Sequence, residues 1–161
     1  MRQGISLGPN CLNEAIQKSG GRIRCATLRA MKESLRKPPI LLVAEDDPSV
    51  VELVRQVFQE PPAWEVFWVL DGEAALDFLF QRRAYAHAAR PDVFLLSICM
   101  PKKTGLAVLE EIKAVPELAS IPVVMWTVST CPEHIALAYK LGVAGYFAKP
   151  ASPQAMLAQL R

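Results

Sequence analysis

The chain has 161 residues, 52% apolar and 21% charged, with a net charge of +2, which is one domain's length and an ordinary globular balance, neither disordered nor fibrous. No apolar run approaches the roughly 18 residues of a membrane span, and residues 1–10 lack the apolar centre of a signal peptide. Cysteines 11, 25, 99 and 131 form no C-x-x-C pair, which argues against a zinc site or a disulfide scaffold and for a reducing, cytoplasmic compartment.

Residues 1–39 carry eight Lys/Arg against two Glu, a balance of +6, whereas residues 40–161 carry ten against fourteen acids, or −4. The first segment has no strand pattern. Leu28, Met31 and Leu35 share one helical face among basic residues, and Pro38-Pro39 closes the segment. It is expected to be a basic, flexible extension, and Met31 offers an alternative start that would leave residues 1–30 untranslated. Residues 40–161 form the second unit. Its acidic balance gives nucleic acid no basic face, and neither nucleic acid nor a membrane is expected as a partner.

From Ile40 short apolar runs alternate with helical periods. Ile40–Ala44 reads as a buried strand, and Val50, Val54, Val57 and Phe58 mark a helix. Trp64–Leu70 is a second strand, broken at Asp71-Gly72, with Ala74, Ala75, Phe78 and Leu79 on the next helix. Val93–Leu96 is a third strand, with Leu106, Leu109 and Ile112 following at helical spacing. Val123–Trp126 is a fourth strand, and Ile135, Ala138 and Leu141 mark its helix. Tyr146–Ala148 is a fifth strand, and Ser152-Pro153 opens the last helix. Expected caps are Asp47 before Pro48, Thr130 three residues before Glu133, and Ser152 before Pro153. Apolar strands alternating with helices imply an α/β fold, a doubly wound five-stranded parallel sheet with helices on both faces.

In such a sheet ligands bind beyond the carboxyl ends of the strands. Those positions hold Glu45, Asp46 and Asp47, then Ser97, Ile98 and Cys99, then Thr127, then Lys149. Acids, hydroxyls and a lysine thus share one rim. His87 and His134 fall in helical periods, off the rim. Cys99 and Cys131 are expected to be buried or partly buried, Trp126 to be core, and Lys102-Lys103 to be a solvated loop.

Leu-Val-Ala-Glu-Asp-Asp-Pro at 42–48, Met-Pro-Lys-Lys-Thr-Gly at 100–105, Thr127, and Gly-Tyr-Phe-Ala-Lys-Pro at 145–150 resemble the motifs of a response-regulator receiver domain of two-component signalling. The run Pro101–Lys113 is similar to the regulators that partner bacterial phytochromes. The resemblance implies a flavodoxin-like strand order 2-1-3-4-5. It also implies a phosphorelay in which a histidine kinase donates a phosphoryl group to an aspartate after the third strand. Carried over, Asp46 and Asp47 are the acidic pair that holds Mg²⁺, and the Cys99 backbone carbonyl completes that site. Thr127 and Lys149 contact the phosphoryl oxygens, and Tyr146 is the aromatic of the switch. The face over residues 132–161 is implied to dock a histidine kinase or another signalling protein, or to pair as a homodimer.

The departure is Ser97, which stands where the family has the acceptor aspartate. Met100-Pro101 fixes the register, and Asp92 lies at the other end of the strand, roughly 16 Å away. A serine hydroxyl is a weak nucleophile without a neighbouring base, and it brings no charge to a metal, so Mg²⁺ affinity is expected to fall. The expected function is therefore a degenerate receiver, a phosphorylation-independent binding module and not an enzyme. The alternative keeps phosphoryl acceptance, on Asp46 or Asp47 or through a modified Ser97. A nucleotide or flavin site is disfavoured because the loop Glu45–Pro48 is acidic and lacks glycine. A serine hydrolase is disfavoured because Ser97 has no G-x-S-x-G elbow.

Overall fold

The computed structural model describes residues 38–60 and 63–161. The expected basic extension and its alternative start at Met31 lie outside these residues, apart from Pro38 and Pro39. Five strands form one parallel sheet: β1 (Ile40–Ala44), β2 (Glu65–Val69), β3 (Val93–Leu96), β4 (Val123–Thr127) and β5 (Gly145–Ala148), in the order β2-β1-β3-β4-β5. Among the described residues six helices accompany them: α1 (Pro48–Phe58), α2 (Gly72–Leu79), α3 (Gly105–Lys113), the short α4 (Pro116–Ala119), α5 (Pro132–Lys140) and α6 (Pro153–Leu160). A 3-10 turn spans Arg83–Tyr85.

The strands read as continuous apolar runs because both sheet faces are covered. Their side chains alternate between two cores. Leu42, Ala44, Phe94, Leu96, Val123 and Met125 pack with Ala75, Phe78, Val108, Leu109 and Ile112 on one face. Leu41, Val43, Leu95 and Trp126 pack with Val50, Val51 and Val54 of α1 on the other, where Met156 and Leu160 of α6 close the layer. Burying these side chains, at about 1.5–3 kcal/mol each, is the main force holding the sheet.

Local chemistry sets the helix starts. The Asp47 carboxylate accepts from Ser49 N–H at 2.8 Å, with Pro48 in the first turn. Asp71 accepts from Ala74 N–H, Thr104 from Ala107 N–H and Ser152 from Ala155 N–H. One expected cap is corrected. Cys131, not Thr130, stands at the start of α5 and gives no side-chain cap. Glu133 instead accepts from the Cys131 thiol at 2.7 Å. The second strand starts at Glu65, since Trp64 N–H is taken by the Phe58 carbonyl. His87 lies in the turn after the 3-10 segment, not in a helix. Asp92 sits at the far end of the sheet as expected, where its carboxylate accepts from Ile40 N–H at 2.7 Å.

Two glycines hold the loop after β3 in place. A Cβ at Gly105 would lie 2.0 Å from the Ser97 carbonyl oxygen, and one at Gly72 would lie 2.3 Å from that of Lys103. Only glycine lets α2 and α3 start so close to that loop. The loop is exposed at Lys102, as expected, and it is also tied by charge. Lys102, in the left-handed region at φ 62, meets the Asp71 carboxylate at 2.7 Å, and Lys103 pairs with Glu111.

Candidate functional site at the carboxyl rim

The sheet register brings the rim residues together. Ala44 pairs with Leu96, so Glu45 and Ser97 leave neighbouring strands side by side, and Ser97 N–H bonds to the Ala44 carbonyl at 3.0 Å. Thr127 pairs with Ala148, and Lys149 N–H bonds to the Thr127 carbonyl at 2.7 Å. Each of these side chains is thus placed by the last rung of the ladder, not by a loop.

The rim is largely closed. Ser97 is 4% exposed and Thr127 fully buried. The Thr127 hydroxyl accepts from Ile98 N–H and from Ser129 N–H, both at 3.4 Å, bridging the loops after β3 and β4. Tyr146 is half-buried and donates its hydroxyl to the Ser129 carbonyl at 3.0 Å, joining β5 to the same loop. His134 reaches that loop as well. Its Nδ1 lies 2.8 Å from the Ser129 hydroxyl, so a histidine does approach the rim, although at Ser129 and not at Ser97. Cys99, whose backbone carbonyl is one of the expected metal ligands, is exposed rather than buried, and Cys131 is half-buried.

The three acids after β1 have separate surroundings. Asp47 is exposed and committed to α1, accepting from both the N–H and the hydroxyl of Ser49. Those two hydrogen bonds hold its carboxyl below the ordinary range. Asp46 is exposed. Glu45 is buried and forms an ion pair with Lys149, their side chains only 5% and 3% exposed. Burial pushes the Glu45 carboxyl above its usual value, while the hydrogen bond and charge of Lys149 offset part of that rise. This pair is the feature that sequence reasoning missed. Glu45 stood on the expected rim, but nothing in its spacing to Lys149, 104 positions away, showed that the lysine would turn to it.

Aromatic rings flank the pair. Trp68 donates its indole N–H to the Glu45 carbonyl at 2.8 Å. The Lys149 ammonium lies 5.2 Å from the centroid of the Trp126 ring, a cation–π distance. Trp126, core as expected, donates its own indole N–H to Gln159 of α6 at 2.7 Å.

Mg²⁺ needs hard oxygen ligands, commonly one or two carboxylates with waters. Here Glu45 is engaged by Lys149, Asp47 by Ser49, and Ser97 offers a hydroxyl in place of a carboxylate. Among the described residues no group of three His, Cys, Asp or Glu side chains is placed to hold a metal ion. The expected donors Asp46 and the Cys99 backbone carbonyl are left to offer a metal ion one carboxylate and one carbonyl oxygen. Also among the described residues, no helix is long and apolar enough to cross a membrane.

Comparison with known proteins agrees on the fold. The response regulator receiver domain family matches residues 41–161. Response regulator Rcp1 of Synechocystis sp. is 36% identical over 120 residues, covering 74% of this chain and 82% of that protein. The probable methanogenesis regulatory protein FilR2 of Methanothrix harundinacea is 36% identical over 118 residues, 71% of this chain and 74% of that one. A crystal structure of the phosphorylated cyanobacterial phytochrome response regulator RcpA superposes with a TM-score of 0.75 at 34% identity, covering 77% of this chain and 89% of that one. The Mn²⁺-bound form of Rcp1 gives 0.74, also at 34% identity, over 76% and 89%.

Proposed function

Because this chain belongs to the response-regulator receiver family of two-component signalling, we propose that it serves as a phosphorylation-independent protein-binding module, with residues 40–161 as its working unit. One observation carries the reading. The acceptor position holds Ser97, and the rim's lysine is spent on Glu45. A hydroxyl with no positioned base does not attack a phosphohistidine. A lysine already neutralised by a buried carboxylate contributes little to the charge stabilisation on which phosphoryl transfer depends. RcpA is described in its phosphorylated form and Rcp1 with Mn²⁺. This chain keeps their fold and carries Ser97 and the Glu45–Lys149 pair on its own rim.

The face over residues 132–161 is the surface proposed to engage a histidine kinase or another signalling protein in the cytoplasm, or a second copy of the chain. Leu137 and Tyr139 of α5 and Phe147 of β5 are 42%, 55% and 49% exposed there, large apolar side chains that a partner would cover. No catalytic role is assigned to the rim.

The test is incubation of the purified chain with acetyl phosphate and Mg²⁺, followed by intact mass measurement. No phosphoryl adduct is expected. A base-labile adduct would place an acyl phosphate on Asp46 or Asp47, an acid-stable one a phosphoserine at Ser97, and either would overturn the reading.

A further inference from the structure

We propose that the space between α1, the sheet and α6 is a binding site for a small, uncharged, flat aromatic molecule. The inference stands independently of the reading of the rim. It follows from how the sheet is covered. Interior strands of a parallel sheet are normally buried on both faces. Val93 of β3 and Val124 of β4 belong to interior strands, yet each is only half-buried. They line a cavity of about 220 Å³. Phe58 at the end of α1, Trp64 before β2 and Leu160 of α6 wall it.

The chemistry of the walls selects the occupant. Trp126 and Phe147 add their rings to those of Phe58 and Trp64, and Phe58 meets Trp64 edge-on at 5.6 Å. Such rings offer a flat aromatic molecule offset and edge-to-face contacts. None of the described residues that line the cavity is charged. The amide of Gln159 is taken at both ends, accepting from the Trp126 indole at 2.7 Å and donating to the Ala148 carbonyl at 3.1 Å. An ionised ligand would shed its water there and meet no countercharge. An apolar void of roughly 150 Å³ takes benzene, so this larger one has room for two fused rings. The wall at α6 gives a way in. No residue of α6 is fully buried. Its end is joined to the end of α1 by the Arg161–Glu60 pair at 3.1 Å, 61% exposed on both sides, and a pair so exposed holds little. An element this lightly packed opens at small cost. Phe147 lines the cavity and is also exposed on the face over residues 132–161, so a bound ligand touches a ring that the proposed docking face presents.

The experiment titrates naphthalene into the full chain and follows amide and methyl signals by NMR, with thermal melts in parallel. Saturable shifts are expected at Val93, Val124, Phe147 and Leu160, with a Kd on the order of 100 µM, direct ligand contacts to the Val124 and Leu160 methyl groups, and a ligand-dependent rise in melting temperature. Naphthoate, the same rings with a carboxylate, is expected to bind at least tenfold more weakly. Val124→Phe fills the cavity from the sheet and Leu160→Phe fills it from α6, and each is expected to weaken naphthalene binding at least tenfold. The two substitutions enter from different walls, so one folded variant suffices, and the ligand contacts in the unaltered chain locate the site without either. No saturable shift up to the solubility limit, shifts centred instead on Leu137 and Tyr139, equal affinity in the filled variants, or naphthoate binding as tightly as naphthalene overturns the inference.

Discussion

Breaking the Glu45–Lys149 pair one residue at a time should give two different losses. Glu45→Gln leaves an ammonium 3% exposed with no counter-charge. Removing one partner of a buried pair costs about 3–5 kcal/mol, and the Trp126 ring still beneath the cation places the expected loss near about 3 kcal/mol. Lys149→Met leaves a buried acid, which can take up a proton as the pH falls. The Glu45 carboxyl already titrates above its ordinary value because burial outweighs the lysine's help, and removing the lysine raises it further. A group whose native pKa is raised contributes stability below its unfolded pKa, and that contribution is lost as pH rises through the native value. Lys149→Met should therefore lose about 3 kcal/mol or more near pH 8 and recover much of it near pH 5, whereas Glu45→Gln should show no such recovery. The double variant should cost less than either single change, with a coupling energy of about 2 kcal/mol or more. Urea unfolding monitored by tryptophan fluorescence at several pH values measures all of this. Single losses that add to within about 0.5 kcal/mol, or a Lys149→Met loss that does not change with pH, would refute the reasoning.

Three further outcomes follow from the same geometry. Ser97→Asp restores a carboxylate beside Glu45 and should acquire a base-labile phosphoryl group from acetyl phosphate in Mg²⁺, read by intact mass. Gly105→Ala drives a methyl group into the Ser97 carbonyl, 2.0 Å away, and should cost about 1–3 kcal/mol, with amide shifts centred on residues 97–99 in a two-dimensional NMR spectrum. Asp71→Ala removes the cap of α2 and the partner of Lys102, for a loss of about 1 kcal/mol in urea unfolding, nearly all of it from the cap because Lys102 is exposed. Burial opposes the Asp71 charge, but Lys102 and the Ala74 N–H hold its carboxyl below the usual range. Its contribution is therefore present above the unfolded pKa and lost as pH falls through the native value, so the difference between Asp71→Ala and the unaltered chain should vanish in acid.

The fold was legible because its signals are local or periodic. Apolar runs such as Leu41–Ala44 and Phe94–Leu96 are buried on both sides, and Asp47 and Ser152 cap the helices they precede. The cap of α5 was misread because Thr130 with Glu133 matches a capping pattern in sequence, yet the helix begins a residue later, at Pro132. Rim membership was equally legible, since every strand end is a fixed offset from an apolar run. The partners within the rim were not. Asp46, Asp47 and Glu45 are three adjacent acids in sequence, and only the fold separates an exposed acid, a helix cap and a buried counter-ion. The same holds for Lys102, whose partner Asp71 lies 31 residues away.

The central claim is that this rim no longer answers to a phosphoryl group. Trp68 and Trp126 touch Glu45 and Lys149 directly, so their fluorescence reports any change in the pair. The decisive measurement is a Mg²⁺ titration of the unaltered chain followed by that fluorescence, with and without acetyl phosphate. The account predicts no saturable change from Mg²⁺ and none when the phosphodonor is added. A saturable, Mg²⁺-dependent response to the phosphodonor would contradict it and return the chain to the phosphoryl-accepting members of its family.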